Sequence, residues 1–452
     1  MDRKTKIIAT VGPSLSSESK IKKIIDAGAN VLRINFSHGT LEDHENVISW
    51  ARKSNMQVAI MQDIQGPKIR TGISSENTFL EKSKNVTLTN IETESNNDIV
   101  FINYENLLRD VNVDDRVFID DGQIVLKVVE KENDKLEALI LIGGELRDNQ
   151  GVAFPDSNLS VSAITEKDIE HLKFGSEHDV DFVAVSFVRN ASDINLVKEI
   201  IPKDIKVIAK IELKTALDNI DEILDVADGV MVARGDLGVQ LPLEQVPFVQ
   251  KQILDAANKR GKISITATEM LQSMKTSYRP TRAEVTDVAN AVYEEADSVM
   301  LSGETSVGQY PVKSVEVLSR IASRNEVGGA NFADFAALKT HKQKTVKAAV
   351  VLADSIPGSK IAVFTKRGVM ANYISNLRPN DSSIYAFSED DQILRHLCLS
   401  RGVTSIRAKF TSDSEETVAR GIEELKRRGF ADSGDSVIVL SDVLGLGPQR
   451  QK

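Results

Sequence analysis

One cysteine, Cys398, stands in a chain of 452 residues. Neither an intramolecular disulfide nor a paired-cysteine metal knuckle can form, so a cross-linked secreted scaffold is excluded. A lone helical cysteine reads as a small core residue rather than a nucleophile, and such sparing use of thiols suits a reducing, cytoplasmic setting. No apolar run approaches the roughly 18 residues needed to cross a bilayer, the stretch 348–353 being among the longest. Residues 7–11 are too few for a signal-peptide core and run into Gly12-Pro13. Positive charge is in deficit: 56 Lys+Arg against 66 Asp+Glu leave a net −10. That is opposite to the footprint selected by nucleic acid or anionic membranes, so neither is expected as a partner. Any anionic ligand must be held by local positive groups.

At about 150 residues per domain, the length suggests roughly three domains. Short β-branched runs at 6–12, 31–37 and 57–65 alternate with helical patterns near 17–27 and 41–54, the signature of βαβ units around a parallel sheet. After Arg70-Thr71-Gly72 the rhythm changes to Thr/Val/Asn-rich pieces with turns such as Asp121-Gly122, which reads as an all-β insertion over 72–156. Alternation resumes with strands expected at 181–188, 206–212, 229–238, 263–270 and 298–305. Eight βα units over about 240 residues have the size of a (β/α)8 TIM barrel, here formed by 1–71 and 157–327. Thr281 and Glu284, three apart after Pro280, mark a capping box at one helix start. Beyond the linker Gly328-Gly329-Ala330, a third βα set over 328–452 reads as an open α/β domain and a candidate regulatory layer.

Barrel enzymes work at the C-terminal ends of their strands, and here six of those ends are polar. They carry Arg33 to His38, then Asp63 with Lys68 and Arg70, Lys210 with Glu212, Arg234 to Asp236, Thr268-Glu269, and Ser302 to Glu304. Glu212 and Asp236, on neighbouring strands, can share a hard divalent cation such as Mg²⁺, which takes one or two carboxylates and leaves positions for substrate oxygens. Arg33, Arg70 and Lys210 beside such a metal are what phosphoryl transfer needs, because charge on the migrating group must be neutralised. Each residue taken singly reads equally as a surface ion pair or a turn, but the pattern repeats at one end of six strands.

The segments Ile34-Asn35-Phe36-Ser37-His38-Gly39, Gly66-Pro67-Lys68-Ile69-Arg70-Thr71-Gly72, Ile208-Ala209-Lys210-Ile211-Glu212, Ala233-Arg234-Gly235-Asp236-Leu237-Gly238, Ala267-Thr268-Glu269-Met270-Leu271, Pro280-Thr281-Arg282-Ala283-Glu284 and Leu301-Ser302-Gly303-Glu304-Thr305 together resemble the pyruvate kinase family, in order and over essentially the whole chain. The resemblance implies transfer of a phosphoryl group from phosphoenolpyruvate to ADP, giving pyruvate and ATP, in a homotetramer. It implies Mg²⁺ or Mn²⁺ on Glu212 and Asp236, Lys210 stabilising the transferring group, and Arg33 on phosphate. Asn35, His38 and Arg70, with Arg33, fall on the nucleotide side. Backbone N–H groups of Gly235 and Asp236 would hold the substrate carboxylate, and Thr268 with Ser302 would lie on the proton route to the enolate carbon. The β insertion matches the family's lid, which excludes water from the transfer.

The chain departs from the family pattern in places. Glu269 stands where glutamine is usual, the lid-return run 151–156 matches poorly, and the N-terminal extension of animal members is not expected. Ile64, Gln65 and Lys68 replace the threonine, lysine and glutamate of many members. K⁺ ligands in those members match Asn35, Ser37 and Asp63, so a tethered Lys68 ammonium would make K⁺ unnecessary. Thr365-Lys366-Arg367-Gly368, between a strand and a helix of the third domain, reads as an anion-binding loop in the place of the family's effector loop. Two rivals share parts of this pattern. A lyase or aldolase of keto acids would use the carboxylate pair but not the lid and three cations, and a sensor retaining the fold would have shed some metal or phosphate groups.

Overall fold

The computed structural model describes residues 3–326 and 338–442; the linker Gly328-Gly329-Ala330 and residues 443–452 lie outside the described residues. Eight parallel strands, Lys6–Val11, Val31–Asn35, Ala59–Ile64, Phe182–Val185, Lys206–Ile211, Gly229–Ala233, Ile263–Ala267 and Ser298–Leu301, close into a barrel. The first strand pairs with the last, Lys6 opposite Ser298 and Ala9 opposite Leu301. The strands are apolar on both faces because each face is covered. Ile8, Met61, Phe182, Ile208, Met231 and Met300 fill the barrel, while Ile7, Leu32, Ile60, Val183 and Val230 meet the surrounding helices. The capping box read at Thr281 and Glu284 forms, and Thr40 with Asp43 and Thr165 with Asp168 repeat it.

Four expected strands stop at least three residues early, the fourth at Val185 and the seventh at Ala267, and the other two give way to helix. The sixth ends at Ala233 and gives way to the helix Arg234–Gln240; the eighth ends at Leu301, before the helical turn Gly303–Ser306. The polar residues Arg234, Asp236 and Glu304 cannot continue an apolar barrel wall, and Asp236 and Glu304 sit in first helical turns, where a negative charge is favoured.

Between the third and fourth barrel strands the chain builds a six-stranded sheet and a two-stranded strip. One pair, Asn85–Thr89 with Ile99–Phe101, is parallel. Arg70 and Thr71 bridge to Gly151 and Ile102, next to the two edge strands, so the sheet curls around a core of its own containing Leu88, Val117, Leu126 and Ala138.

The third unit holds four parallel strands in the spatial order Val403–Arg407, Ser383–Ser388, Lys360–Phe364, Val437–Ser441. Chain direction across the sheet reverses at Lys360–Phe364, which places a switch point beside Thr365. This unit sits under the barrel: its Leu399 joins the barrel's interior cluster, and Cys398 packs against that cluster with its thiol donating to Gln57 O at 3.0 Å. Burial pushes the Cys398 thiol up to about 12.

Candidate active site

Lys210 lies one residue before the end of the fifth strand, its side chain 12% exposed. Its Nζ is 2.9 Å from Glu212 Oε1, 3.3 Å from Asp63 Oδ1 and 2.7 Å from Ser186 Oγ. Burial alone would lower its pKa, but the charges of Asp63 and Glu212 outweigh burial and hold the ammonium above its usual range. For Glu212, burial raises the carboxyl pKa, Lys210 opposes the shift and the charge of Asp236 adds to it, with the net result about 6. Glu212 Oε2 accepts the backbone N–H of Phe187 at 2.7 Å. Asp236 is half-buried on the first turn of Arg234–Gln240. Both acids line a cleft of about 130 Å³ between barrel and lid.

Asp63 is fastened on two sides. Arg33 Nε donates to its Oδ2 at 2.6 Å, Lys210 reaches Oδ1, and Arg33 also donates to Thr10 Oγ1 at 3.0 Å. Burial would raise the Asp63 carboxyl, but the two cations bring it below its ordinary range. Thr268 and Glu269 both have left-handed backbones, φ 66° and 56°, strain of the kind that collects at functional sites. Thr268 Oγ1 accepts the Gly235 N–H at 2.9 Å, so that donor, assigned from the resemblance to the substrate carboxylate, already has a partner. Arg234 donates to Thr268 O at 2.5 Å and is braced by Asp287 at 2.7 Å. The Ser302 N–H donates to fully buried Glu304 at 2.8 Å. Glu269 is exposed.

A larger cavity of about 810 Å³ opens beside this centre, lined by Arg33, Asn35, His38, Thr268, Ser302 and Trp50. Asn35 Oδ1 accepts the Ser37 N–H at 3.1 Å. Arg70 stands apart: its guanidinium donates to Asn149 O at 2.8 Å and its N–H to Asn103 Oδ1, tying the neck of the lid. Lys68 is exposed in the smaller cleft near Gly151, and Asp63 is paired with Arg33 and Lys210 rather than with it. In the third unit, the fully buried Thr365 accepts the Gly368 N–H at 3.0 Å and donates to Asp442 at 3.3 Å, while the Lys366 N–H donates to Asp442 at 3.2 Å. Lys366 and Arg367 are exposed.

The sequence reading passed over the first and fourth strand ends. Thr10 and the run Ser186-Phe187-Val188-Arg189 lie there, and the same strand-end rule would have found Thr10, Ser186 and Arg189. Phe187 contributes a backbone N–H, which no residue-type pattern reveals.

Among the described residues no cluster of three or more His, Cys, Asp or Glu could hold a metal ion. Two carboxylates lining one cleft, one with its pKa raised partly by the other, suit a cation that takes one or two carboxylates and completes its shell with water and substrate oxygens. The donor set therefore fits Mg²⁺ or Mn²⁺.

Residues 2–315 match the family model "Pyruvate kinase, barrel domain" and 343–447 match "Pyruvate kinase, alpha/beta domain". A pyruvate kinase of Thermotoga maritima is 38% identical, with 98% of this chain and 97% of that protein covered. One from Staphylococcus aureus is 39% identical over 98% of this chain and 78% of its own length. Plastidial pyruvate kinase 2 of Arabidopsis thaliana is 38% identical over 97% of this chain and 78% of its own length. The crystal structure of a pyruvate kinase from Cryptosporidium parvum superposes with a TM-score of 0.93 at 32% identity, covering 97% of this chain and 93% of that one. A likeness that runs through barrel, lid and third unit alike makes the chain a member of the pyruvate kinase family, a phosphotransferase acting between phosphoenolpyruvate and ADP.

Proposed function

We propose that transfer is carried out at the barrel mouth by Lys210, with Arg33 on the phosphate and Glu212 and Asp236 holding Mg²⁺ or Mn²⁺. The observation that carries this reading is the Lys210 ammonium, held 3.3 Å from Asp63 and 2.9 Å from Glu212, which lines the cleft together with Asp236. A divalent ion bound there supplies fixed positive charge to phosphoryl and carboxylate oxygens. Lys210 adds charge that matters most as the phosphoryl group moves, in a water-poor setting where such charge acts strongly. Phosphoenolpyruvate lies beside Gly235, Asp236 and Thr268, and the nucleotide occupies the larger cavity along Arg33, Asn35 and His38, with Arg70 at the lid neck. Thr268, its hydroxyl fixed by the Gly235 N–H, and Ser302 lie on the route that returns a proton to the enolate carbon. ATP formation from phosphoenolpyruvate and ADP in a coupled assay, metal-dependent and lost in Lys210→Met, tests this; a lyase or aldolase would form no ATP.

K⁺ is not required in this reading. Asp63 is already compensated by Arg33 and Lys210, and Lys68 brings a further positive charge to the cleft lined by Glu212 and Asp236, so a monovalent cation beside Asn35, Ser37 and Asp63 is disfavoured. Assays in tetramethylammonium salts at matched ionic strength check it; strong saturable activation by K⁺ would overturn it, and Lys68→Glu should create such activation.

Barrel (1–71 and 157–327), lid (72–156) and third domain (328–452) are read as the working units, in a cytoplasmic homotetramer. Family likeness supports the assembly, and light scattering tests it. The single cysteine supports the compartment, and cell fractionation tests it. The loop Thr365 to Gly368 lies at the sheet's switch point, with Lys366 and Arg367 exposed, which supports a regulatory anion site there. An incoming phosphate would have to displace Asp442. Thermal-shift titration with sugar phosphates and AMP of wild type and a Lys366→Ala/Arg367→Ala double variant checks it, and identical responses would remove the site.

A further inference from the structure

The turn that follows the fourth barrel strand, Ser186 to Arg189, touches three things at once. Ser186 Oγ accepts from Lys210 at 2.7 Å and donates to Ile64 O at 2.7 Å, and the Phe187 N–H donates to Glu212 Oε2 at 2.7 Å. Phe187 has φ 55°, a conformation that a bulky residue adopts only when its surroundings enforce it. The third contact is with the lid. Arg189 donates through one nitrogen to the carbonyls of Leu159 and Val161, at 3.1 and 2.6 Å, on the segment by which the chain returns from the lid to the barrel.

The outgoing arm meets the same turn. Gly66, with φ 67°, passes so close that a Cβ there would lie 3.1 Å from Phe187 Cδ2 and 3.3 Å from Ser186 Cβ. Both connections of the lid therefore rest on one turn, the outgoing arm against Ser186 and Phe187, which orient Lys210 and Glu212, and the returning arm on Arg189.

The turn is itself anchored to the barrel. The carboxylate of Asp193 accepts from the Arg189 N–H at 2.9 Å and from its guanidinium at 3.2 and 3.1 Å, Asn219 donates to Arg189 O at 2.9 Å, and Asn190 caps the helix Ala191–Ile200. On the lid side, the returning segment is latched where Arg116 grips Asp156 through two nitrogens and Ser160 donates to Asp110. Between these two sets of bonds, Arg189 spans from barrel to returning arm.

We propose that Arg189 is a positioning residue for the transfer reaction, fixing the returning arm of the lid to the turn that orients Lys210 and Glu212, so that the cleft and the metal-binding carboxylate are set together. This rests on the reading of Glu212 as a metal ligand. Loss of a group bonded directly to a metal ligand typically lowers metal affinity or activity by about 10–100-fold; Arg189 acts through the Phe187 turn, so its loss should fall at the lower end of that range.

The test is Mn²⁺ binding without turnover, by calorimetry or electron paramagnetic resonance, on wild type, Glu212→Gln, Arg189→Gln, Arg189→Lys and Asp193→Asn, with hydrogen exchange over 157–162. Arg189→Gln should weaken Mn²⁺ binding by about 10-fold and speed exchange in the arm while Tm stays close to wild type. Arg189→Lys should recover part of the loss, and Asp193→Asn, which loosens Arg189 without touching the arm, should show a smaller loss in the same direction. Wild-type Mn²⁺ affinity in Glu212→Gln would overturn the metal reading and this inference with it. Affinity lost in Glu212→Gln but unchanged in Arg189→Gln would overturn the coupling alone. If the Arg189 variants do not fold, Asp193→Asn decides: unchanged Mn²⁺ affinity and unchanged exchange overturn it.

Discussion

The two ends of the barrel use the same residue types to opposite ends. At the bottom, Asp297 accepts the N–H and hydroxyl of Ser264, at 2.9 and 3.0 Å, and pairs with Arg378 of the third unit at 2.7 Å. Asp181 accepts the Ile60 N–H at 2.8 Å and pairs with Arg52 at 2.9 Å and Arg395 at 2.5 Å. Each aspartate joins neighbouring strands of the barrel and receives an arginine from the third unit; its bonding capacity is used within the fold. At the mouth, Glu212 and Asp236 line one open cleft; Glu212 is held by Lys210 and the Phe187 N–H, burial raises its pKa, and the charge of Asp236 raises it further. Carboxylates bonded across strands and sealed under the third unit hold the molecule together; carboxylates that line an open cleft are available to a ligand.

The comparison breaks most sharply at Lys210. Lys210→Met should lower kcat on the order of 10²–10⁵-fold while leaving the fold intact, read by steady-state assay beside circular dichroism. Turnover above a tenth of wild type with unchanged folding would remove the lysine's role. Asp297→Ala should do the reverse. Removing the buried ion-pair partner of Arg378 and the acceptor of the Ser264 N–H should destabilise by about 3–5 kcal/mol in chemical denaturation, with kcat per folded molecule near wild type. A stable variant with a damaged kcat would mean that the bottom takes part in chemistry.

Cys398 sharpens the contrast on the bottom side. Its thiol pKa, ordinarily 9.0, is pushed up to about 12 by burial, so the native state keeps a proton that the unfolded chain releases between those values. The contribution to stability is full below pH 9 and declines as pH rises toward 12. Iodoacetamide at pH 8 should leave the native thiol unmodified and label it rapidly in denaturant; fast native labelling would contradict the burial. The smallest effect belongs to an exposed pair at neither end. Arg420 and Glu416 lie 2.6 Å apart on a helix surface, and Arg420→Ala should shift stability by about 0.3–0.5 kcal/mol and activity not at all.

Much of this was legible in the sequence because alternation of apolar runs is local. The eight strands and the four-stranded sheet follow from it, and the polar strand ends mark the mouth. Errors fell where polar residues end a strand and open a helix, as at Arg234 and Gly303, because the same residues read as either. The parallel pair inside the lid was hidden, since pairing direction is set by partners distant in sequence. So were the bonds of Arg378 and Arg395, residues whose partners lie 81 and 214 positions away. At the site, residue types were readable but pairings were not: Asp63 belongs to Arg33 and Lys210, and the Phe187 N–H leaves no mark in side-chain chemistry.

The most direct measurement is the anomalous scattering of a crystal soaked with Mn²⁺ and a phosphoenolpyruvate analogue. The expected result is a manganese peak coordinated by Glu212 and Asp236 and by oxygens of the analogue, with Lys210 Nζ on its phosphoryl side. A peak held by other residues, or an analogue bound away from Lys210, would contradict the assignment of the barrel mouth as the site of transfer.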